Sequence, residues 1–303
     1  MNDLRELRGA GEIDYLVALA RKGRLSRRAF LGRATAIGLT TTLAGSLAGR
    51  AFADVPIRGG TLRMGAQGGE STNTLDPALN LSQVMFNFCK QWGEFIARLT
   101  PDGGIENLIG EEINPSADGL TWTIKVRDGI EFHNGKTVQA EDVAATLARH
   151  ADEKSQSGAL GILKGISDIR TSGREVICTL ETPNSDFPYI MADYHLIVQP
   201  NGGNDNPNAG ISAGPYRVAA NEPGVRHTGE RFENYWQPER RGFADSVEIL
   251  VINDTTARVS ALQAGQVHMI NRVEPKVVDL VSGVAGTSIE AVAGKGFYLS
   301  HPA

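Results

Sequence analysis

The chain is poor in cysteine, in clustered basic residues, in long apolar runs and in catalytic signatures. Two cysteines, Cys89 and Cys178, occur in 303 residues. They could form one disulfide in an oxidising compartment, but spacing alone does not show that they meet. Cys178 lies in the strand-like run Val176-Ile177-Cys178-Thr179-Leu180, so a buried thiol acting as a small hydrophobe is the simpler reading. After residue 60 no run of Lys and Arg occurs except Arg240-Arg241, the net charge is -5, and the pI is near 5.7. That balance argues against nucleic acid as a partner.

Catalytic motifs are missing too. The six histidines (133, 150, 195, 227, 268 and 301) are scattered, and none pairs with a second ligand at zinc spacing. Asn134-Gly135-Lys136-Thr137 resembles the end of a phosphate loop, but Gly129 precedes Gly135 by six positions rather than five. A turn before a helix is the better reading. There is no Gly-x-Ser-x-Gly elbow, and Gly294-Lys295-Gly296 lacks the third glycine of a dinucleotide fingerprint. Glu111-Glu112 reads as a solvated surface pair, because neighbouring side chains on a strand or helix point apart. No catalytic residue, metal site or cofactor is expected.

What is present begins with an address. Ser26-Arg27-Arg28-Ala29-Phe30-Leu31-Gly32 joins two arginines to an aromatic and a leucine. A weakly apolar stretch, Ala34 to Ala48, follows, and then Gly49-Arg50 and the small-x-small triplet Ala51-Phe52-Ala53. The order is charged region, apolar region, cleavage site. The apolar part is too short and polar to span a membrane, which takes about 20 residues. Arg27, Arg28, Phe30 and Leu31 match a twin-arginine export signal. Cleavage is expected after Ala53, with Ala51 and Ala53 as its small residues. Arg50 beside the cut disfavours the general secretory route. Residues 1–25 carry a helical pattern (Leu4, Leu7, Ile13, Leu16, Val17) and read as a long leader.

Past the leader, strands and helices alternate, which gives an α/β class. Leu62, Met64 and Ala66 alternate with Thr61, Arg63 and Gly65 as a strand, closed by the Gly- and Pro-punctuated loop Gln67–Pro77. A helix is expected over 79–99, with Leu81, Val84, Met85 and Phe88 on one face. Trp122, Ile124 and Val126 make a second strand. Asp128-Gly129 should turn the chain so that Ile130–Phe132 returns as a short partner. An amphipathic helix is expected over 140–153, with strands at 175–180, 194–199, 215–219 and 246–252. A further helix over 255–264 ends at Gly265, placed for a left-handed cap.

One long block carries a family likeness. Trp92-Gly93-Glu94-Phe95-Ile96-Ala97-Arg98-Leu99 leads through Pro101-Asp102-Gly103-Gly104 to Ala117-Asp118-Gly119-Leu120-Thr121-Trp122-Thr123-Ile124-Lys125-Val126-Arg127-Asp128-Gly129 and on to Lys136, closing with Ala140-Glu141-Asp142-Val143. A second block comprises Ala213-Gly214-Pro215-Tyr216, Asn234-Tyr235-Trp236, Asp254-Thr255-Thr256-Ala257-Arg258 and Ala261–Val267. Together they resemble the bacterial extracellular solute-binding proteins, family 5, over nearly all of residues 59–300.

The resemblance implies a type II-like periplasmic-binding-protein lobe one with mixed sheets. It also implies a non-enzymatic receptor that binds a peptide-like small solute in a cleft and hands it to the permease subunits of an ABC importer. It places Gln67, Gly68, Gly69, Thr74, Gly214 and Tyr216 near that cleft. Tyr235 and Trp236 are expected to fill core or groove space. With the address, it implies a periplasmic protein served by the twin-arginine machinery. The expected organisation is a signal over 1–53, lobe one over 54–293, and the start of a crossing segment over 294–303. Lobe two would be missing, since members of the family are much longer.

Two positions depart from the family pattern. Gln139 stands where a hydroxyl residue usually caps the helix, a loss of about 1 kcal/mol if nothing else caps it. His268 stands where an acid is usual, and reads as a surface substitution. A truncated fragment with no binding of its own is the alternative reading. An exported enzyme is a third, for which no cofactor motif is present.

Overall fold

In the computed structural model Trp122, Ile124 and Val126 are buried, while Thr121, Thr123 and Lys125 are half-exposed. The alternation read in the sequence is therefore a strand with one covered face. The structure describes residues 12–17, 19, 25–40, 44, 47, 56, 58–283 and 286–289. The expected cleavage site at Ala51 and Ala53, the side chain of Arg27 and the segment 294–303 lie outside the described residues. The chain forms two units, residues 1–58 and residues 59–303.

In the first unit, helix α1 (Arg27–Ala36) starts at Ser26, whose Oγ accepts from the Ala29 N–H at 3.2 Å. This is an N-cap, so the paired arginines occupy the first turn. Phe30 and Ala34 are buried with Leu16, Leu25 and Ala44, whereas Leu31 is half-buried and Arg28 exposed. Among the described residues no helix is long and apolar enough to cross a membrane.

The second unit holds strands β1 (Thr61–Ala66), β2 (Ala97–Leu99), β3 (Ile105–Asn107), β4 (Gly110–Pro115), β5 (Thr121–Val126), β6 (Ile166–Ser172), β7 (Glu175–Leu180), β8 (Tyr216–Glu222), β9 (Arg226–Arg231), β10 (Ser246–Val251) and β11 (Met269–Ile270). Its main helices are α2 (Gln83–Trp92), α3 (Ala140–Ala151) and α4 (Thr255–Gln263). One sheet has the order β11-β1-β10-β9-β8 and the other β4-β5-β7-β6, with β2 and β3 as a separate pair. In the first sheet β11, β1 and β10 are parallel, while β9 and β8 continue antiparallel. The second sheet is antiparallel throughout.

Each large sheet has its own core. One is built by β5, β7 and α3 through Ile124, Val126, Val176, Val143 and Leu147. The other is built by α2 against the mixed sheet through Val84, Met85, Phe88, Trp92 and Ile249. Trp236 packs against both. Cys178 belongs to the first core and Cys89 to the second, and both thiols are free. Burial pushes each thiol up to about 12, which leaves both unreactive.

Several expectations are corrected. The helix expected over 79–99 is α2 alone. Ser82 caps it, with its Oγ accepting from Met85 N–H at 3.2 Å, and Leu81 lies outside it, 73% exposed. At Gly93 any Cβ would sit 2.6 Å from the Cys89 carbonyl and 2.7 Å from Ile197, so the chain leaves the helix there and continues into β2. Ile130–Phe132 does not pair back on β5, whose neighbours are β4 and β7. It pairs forward across the Asn134-Gly135 turn, where Phe132 N–H donates to Lys136 O and Val138 N–H to Ile130 O, both at 2.8 Å. The strand expected at 194–199 reduces to a single bridge between Phe95 and Ile197.

Glu112 is exposed as expected but Glu111 is half-buried, and a bulge beside Gly110 turns both toward Lys125, at 3.1 and 2.8 Å. Gln139 does not leave α3 uncapped, because its own N–H donates to Asp142 Oδ2 at 2.9 Å. His268 is exposed, and its Nδ1 accepts from the Arg63 N–H at 3.0 Å.

The fold also brings scattered histidines together. His150 Nδ1 and Ser157 Oγ share a hydrogen bond of 2.6 Å, and His195 Nδ1 lies 2.7 Å from Asp193 Oδ1. Burial, then Arg149 and His195, lower the His150 pKa to about 4, against the opposing pull of Asp76 and Asp193. The unfolded chain takes this proton near pH 6.5, the folded chain only near 4. Stability should therefore be full above about pH 6.5 and fall by on the order of 3 kcal/mol as pH drops toward 4. Urea midpoints of wild type and H150Q at about pH 7.5 and about pH 5 check this. The variant should lose less stability on acidification, and an equal loss would refute the assignment.

Candidate functional site

Three parallel strands, β11, β1 and β10, end side by side, and the loops that follow them converge. In an open α/β sheet the carboxyl ends of parallel strands are where ligands bind. The loop after β1 is fixed by two asparagines from its neighbours. Asn271, just past β11, accepts the Gln67 N–H at 2.8 Å and donates to the Gln67 carbonyl at 3.3 Å. Asn253, just past β10, accepts the Gly68 N–H at 2.9 Å and donates to the Gly69 carbonyl at 3.0 Å. The first residue of α2 closes the ring, with Gln83 Oε1 accepting from Asn271 Nδ2 at 3.2 Å.

Both glycines are needed for this. Gly68 has φ +92, a left-handed backbone that side chains disfavour. At Gly69 a Cβ would stand 2.6 Å from both methyls of Val251.

Beneath the loops lies Arg258 of α4, with no exposed surface. Its Nη1 donates to the carbonyls of Ile252 (2.9 Å) and Asn253 (3.3 Å), and its Nε to that of Asn271 (3.2 Å). Nη2 donates to the Arg272 carbonyl at 3.2 Å and to Gln67 Oε1 at 3.3 Å. One guanidinium thus ties together the ends of all three strands. Burial is the main force pushing its pKa down, Glu274 and Asp254 oppose it, and Arg272 adds to it.

The sequence-selected residues divide. Gln67, Gly68 and Gly69 meet at this end of the sheet. Thr74 lies further along the loop, where its hydroxyl bonds to Asn208 Oδ1 and accepts the Asp76 N–H at 3.1 Å. Gly214 and Tyr216 do not join them. Register carries Thr61 to Ser246, Ser246 to Glu230 and Glu230 to Arg217. Tyr216 is therefore level with the start of β1, about 20 Å along the strand from Gln67. Tyr216 is buried. Gly214 is packed on the end of α2, where a Cβ would meet the Trp92 carbonyl carbon and oxygen at 2.5 Å.

Asn253, Asn271, Arg258 and Arg272 were not singled out for this role from sequence. The available signal was an Asn directly following each of two apolar strand runs. A groove of about 620 Å³ also opens beside the Asp76–Arg149 ion pair (2.7 Å), lined by Leu79, Ala148, Lys154 and Asn204. It shares no lining residue with the strand ends. Among the described residues no group of three or more His, Cys, Asp or Glu could hold a metal ion.

Comparison with known proteins supplies the family. The model described as bacterial extracellular solute-binding proteins, family 5 Middle, matches residues 104–300. The glutathione-binding protein GsiB of Escherichia coli K12 is 26% identical over 204 residues, covering 65% of this chain and 40% of that protein. Among solved structures, the binding protein AgaA of A. tumefaciens R10, in complex with agropinic acid, aligns with a TM-score of 0.67 and 29% identity over 74% of this chain and 46% of its own. The oligopeptide-binding protein AppA of Bacillus subtilis, in complex with a nonapeptide, has the same fold, with a TM-score of 0.67 and 21% identity over 76% and 47% of the two chains. The chain spans less than half the length of each of these relatives, and what it matches corresponds to a single lobe.

Proposed function

Because the chain belongs to the bacterial extracellular solute-binding proteins, family 5, we propose that it is the solute-binding component of an ABC importer, taking peptides or related small solutes without turnover. The observation that carries this is the built end of the sheet. Gln67, Gly68 and Gly69 are held by Asn253 and Asn271 over a buried arginine, a rigid polar loop at the place where α/β sheets receive ligands. The named cargoes of its relatives, namely glutathione, agropinic acid and a nonapeptide, support a small peptide-like solute. Residues 54–293 are its binding lobe in this reading, and residues 1–53 its address. A thermal-shift titration of the purified chain against di-, tri- and oligopeptides tests it. A ligand at 100 times its Kd should add about 2.7 kcal/mol. No shift with any peptide would overturn the peptide reading, and no shift with any peptide, sugar or metal complex would overturn the receptor reading for this chain.

Export through the twin-arginine machinery to the periplasm, with cleavage after Ala53, belongs to the same proposal. Ser26 capping α1 at the arginine pair supports it by fixing where the signal helix begins. Changing both arginines (R27K with R28K) should leave the uncleaved precursor in the cytoplasm, read by fractionation and blotting. Undiminished export of the double variant would refute this route.

A further inference from the structure

From Gly59 onward, nearly every described arginine has a carboxylate, carbonyl or aromatic partner. Arg63, Arg98, Arg127, Arg149, Arg174, Arg226, Arg231, Arg240 and Arg241 are ion-paired, and Arg217 lies over Phe232. Arg258 is spent on carbonyls. Arg170 and Arg272 are the exceptions. Arg170 sits on the edge strand β6, an ordinary place for a solvated charge. Arg272 does not sit in an ordinary place. It directly follows Asn271, which holds the Gln67 loop, and it is exposed.

Its backbone is left-handed, φ 49, and the other described non-glycine residue of this kind is Asn201. Asparagine accepts that conformation through local side-chain bonding, whereas arginine has no such compensation. Strain of this sort persists where surrounding structure over-determines it, and it clusters at ligand sites. Here the cause is visible. The Arg272 carbonyl is drawn onto buried Arg258 at 3.2 Å, so the backbone is anchored while the side chain is left to solvent. Arg258 has neutral partners only. The two carboxylates that act on it through space are committed elsewhere, Asp254 capping α4 at Ala257 N–H and Glu274 bound to Thr255 and Lys276.

We propose that Arg272 is the residue by which this site recognises an anionic group, and that the solute bears a carboxylate. A planar guanidinium offers paired donors to a carboxylate, and it starts from a backbone anchored on Arg258 one residue past Asn271, which holds the Gln67 loop. This rests on the receptor reading above.

The test uses the full chain and two probes, a mixed tripeptide pool of uncharged residues with free carboxyl termini and the same pool as C-terminal amides. The free-acid pool should raise the melting midpoint, and the amide pool should need about tenfold to a hundredfold more to match it. R272Q should melt with wild type when unliganded and should bind both pools alike. R272G, which suits the left-handed backbone, should fold at least as well and show the same loss of preference. Equal stabilisation of wild type by both pools, or a preference retained in R272Q and R272G, overturns the role of Arg272 and leaves the receptor reading intact. Stabilisation by neither pool removes the peptide-receptor reading, and this inference with it.

Discussion

Replacing Glu94 by leucine (E94L) is expected to cost about 4 kcal/mol of folding stability, read as a lower urea midpoint. Glu94 has no exposed surface. Its Oε2 accepts from the Tyr235 hydroxyl at 2.9 Å and from Trp236 Nε1 at 3.0 Å, and Arg241 Nη1 donates to Oε1 at 3.3 Å. Leucine fills much of the same volume but satisfies none of these donors, so a buried hydroxyl, a half-buried indole N–H and a guanidinium that is 18% exposed lose their acceptor. Buried groups stripped of a partner pay their full desolvation cost. The carboxylate also anchors Trp236, which packs against both cores, and Arg241 donates in turn to the carbonyl of Lys90 near the end of α2. E94Q keeps shape and some bonding, so it should lose about half as much. Y235F removes one bond and should cost about 1 kcal/mol. If E94L unfolds within about 1 kcal/mol of wild type, the two cores are not joined through this carboxylate.

How much of this could be read in the sequence depends on the range of the interaction. Alternation over 121–126, the strand expected over 246–252 and the apolar face expected over 140–153 rest on local signals, and they became β5, β10 and α3. The turn after 263 was equally local, with Gly265 at φ +68. Failures came where distant chain decides. The apolar run 194–199 has strand character, yet its one available partner is Phe95. Residues 93–99 continue a helical pattern, but Gly93 is wedged against Ile197, which no local reading contains. For the site, Gly-rich sequence after the first strand marked Gln67 to Gly69. Nothing local could pair them with Asn253 and Asn271, about 185 and 204 residues away. Tyr235 and Trp236 read as packing aromatics, and they do pack. Their polar ends are spoken for by a glutamate some 140 residues earlier.

Replacing Arg258 by methionine (R258M) should cost a similar amount, about 3 to 5 kcal/mol, through a different part of the molecule. Methionine keeps the apolar stem packed and removes every donor. The carbonyls of Ile252, Asn253, Asn271 and Arg272, with Gln67 Oε1, then lose a shared partner. Water can reach some of them only if the loops after β1, β10 and β11 part. The loss should therefore appear as local opening as well as a lower midpoint. Amide exchange at Gln67 and Gly68, whose N–H groups donate to Asn271 and Asn253, should quicken in R258M more than exchange in β5 or β7. E94L should not show that local excess, because the hydrogen-bond partners of the Glu94 carboxylate are Phe95, Tyr235, Trp236 and Arg241, none of them in these loops. R258K should recover only part of the loss, since an ammonium keeps the charge but offers three donors from one point where the guanidinium reaches carbonyls of three chain segments. Uniform acceleration of exchange across both sheets in R258M would mean that Arg258 serves global stability alone, and the strand-end loops would need another source of their rigidity.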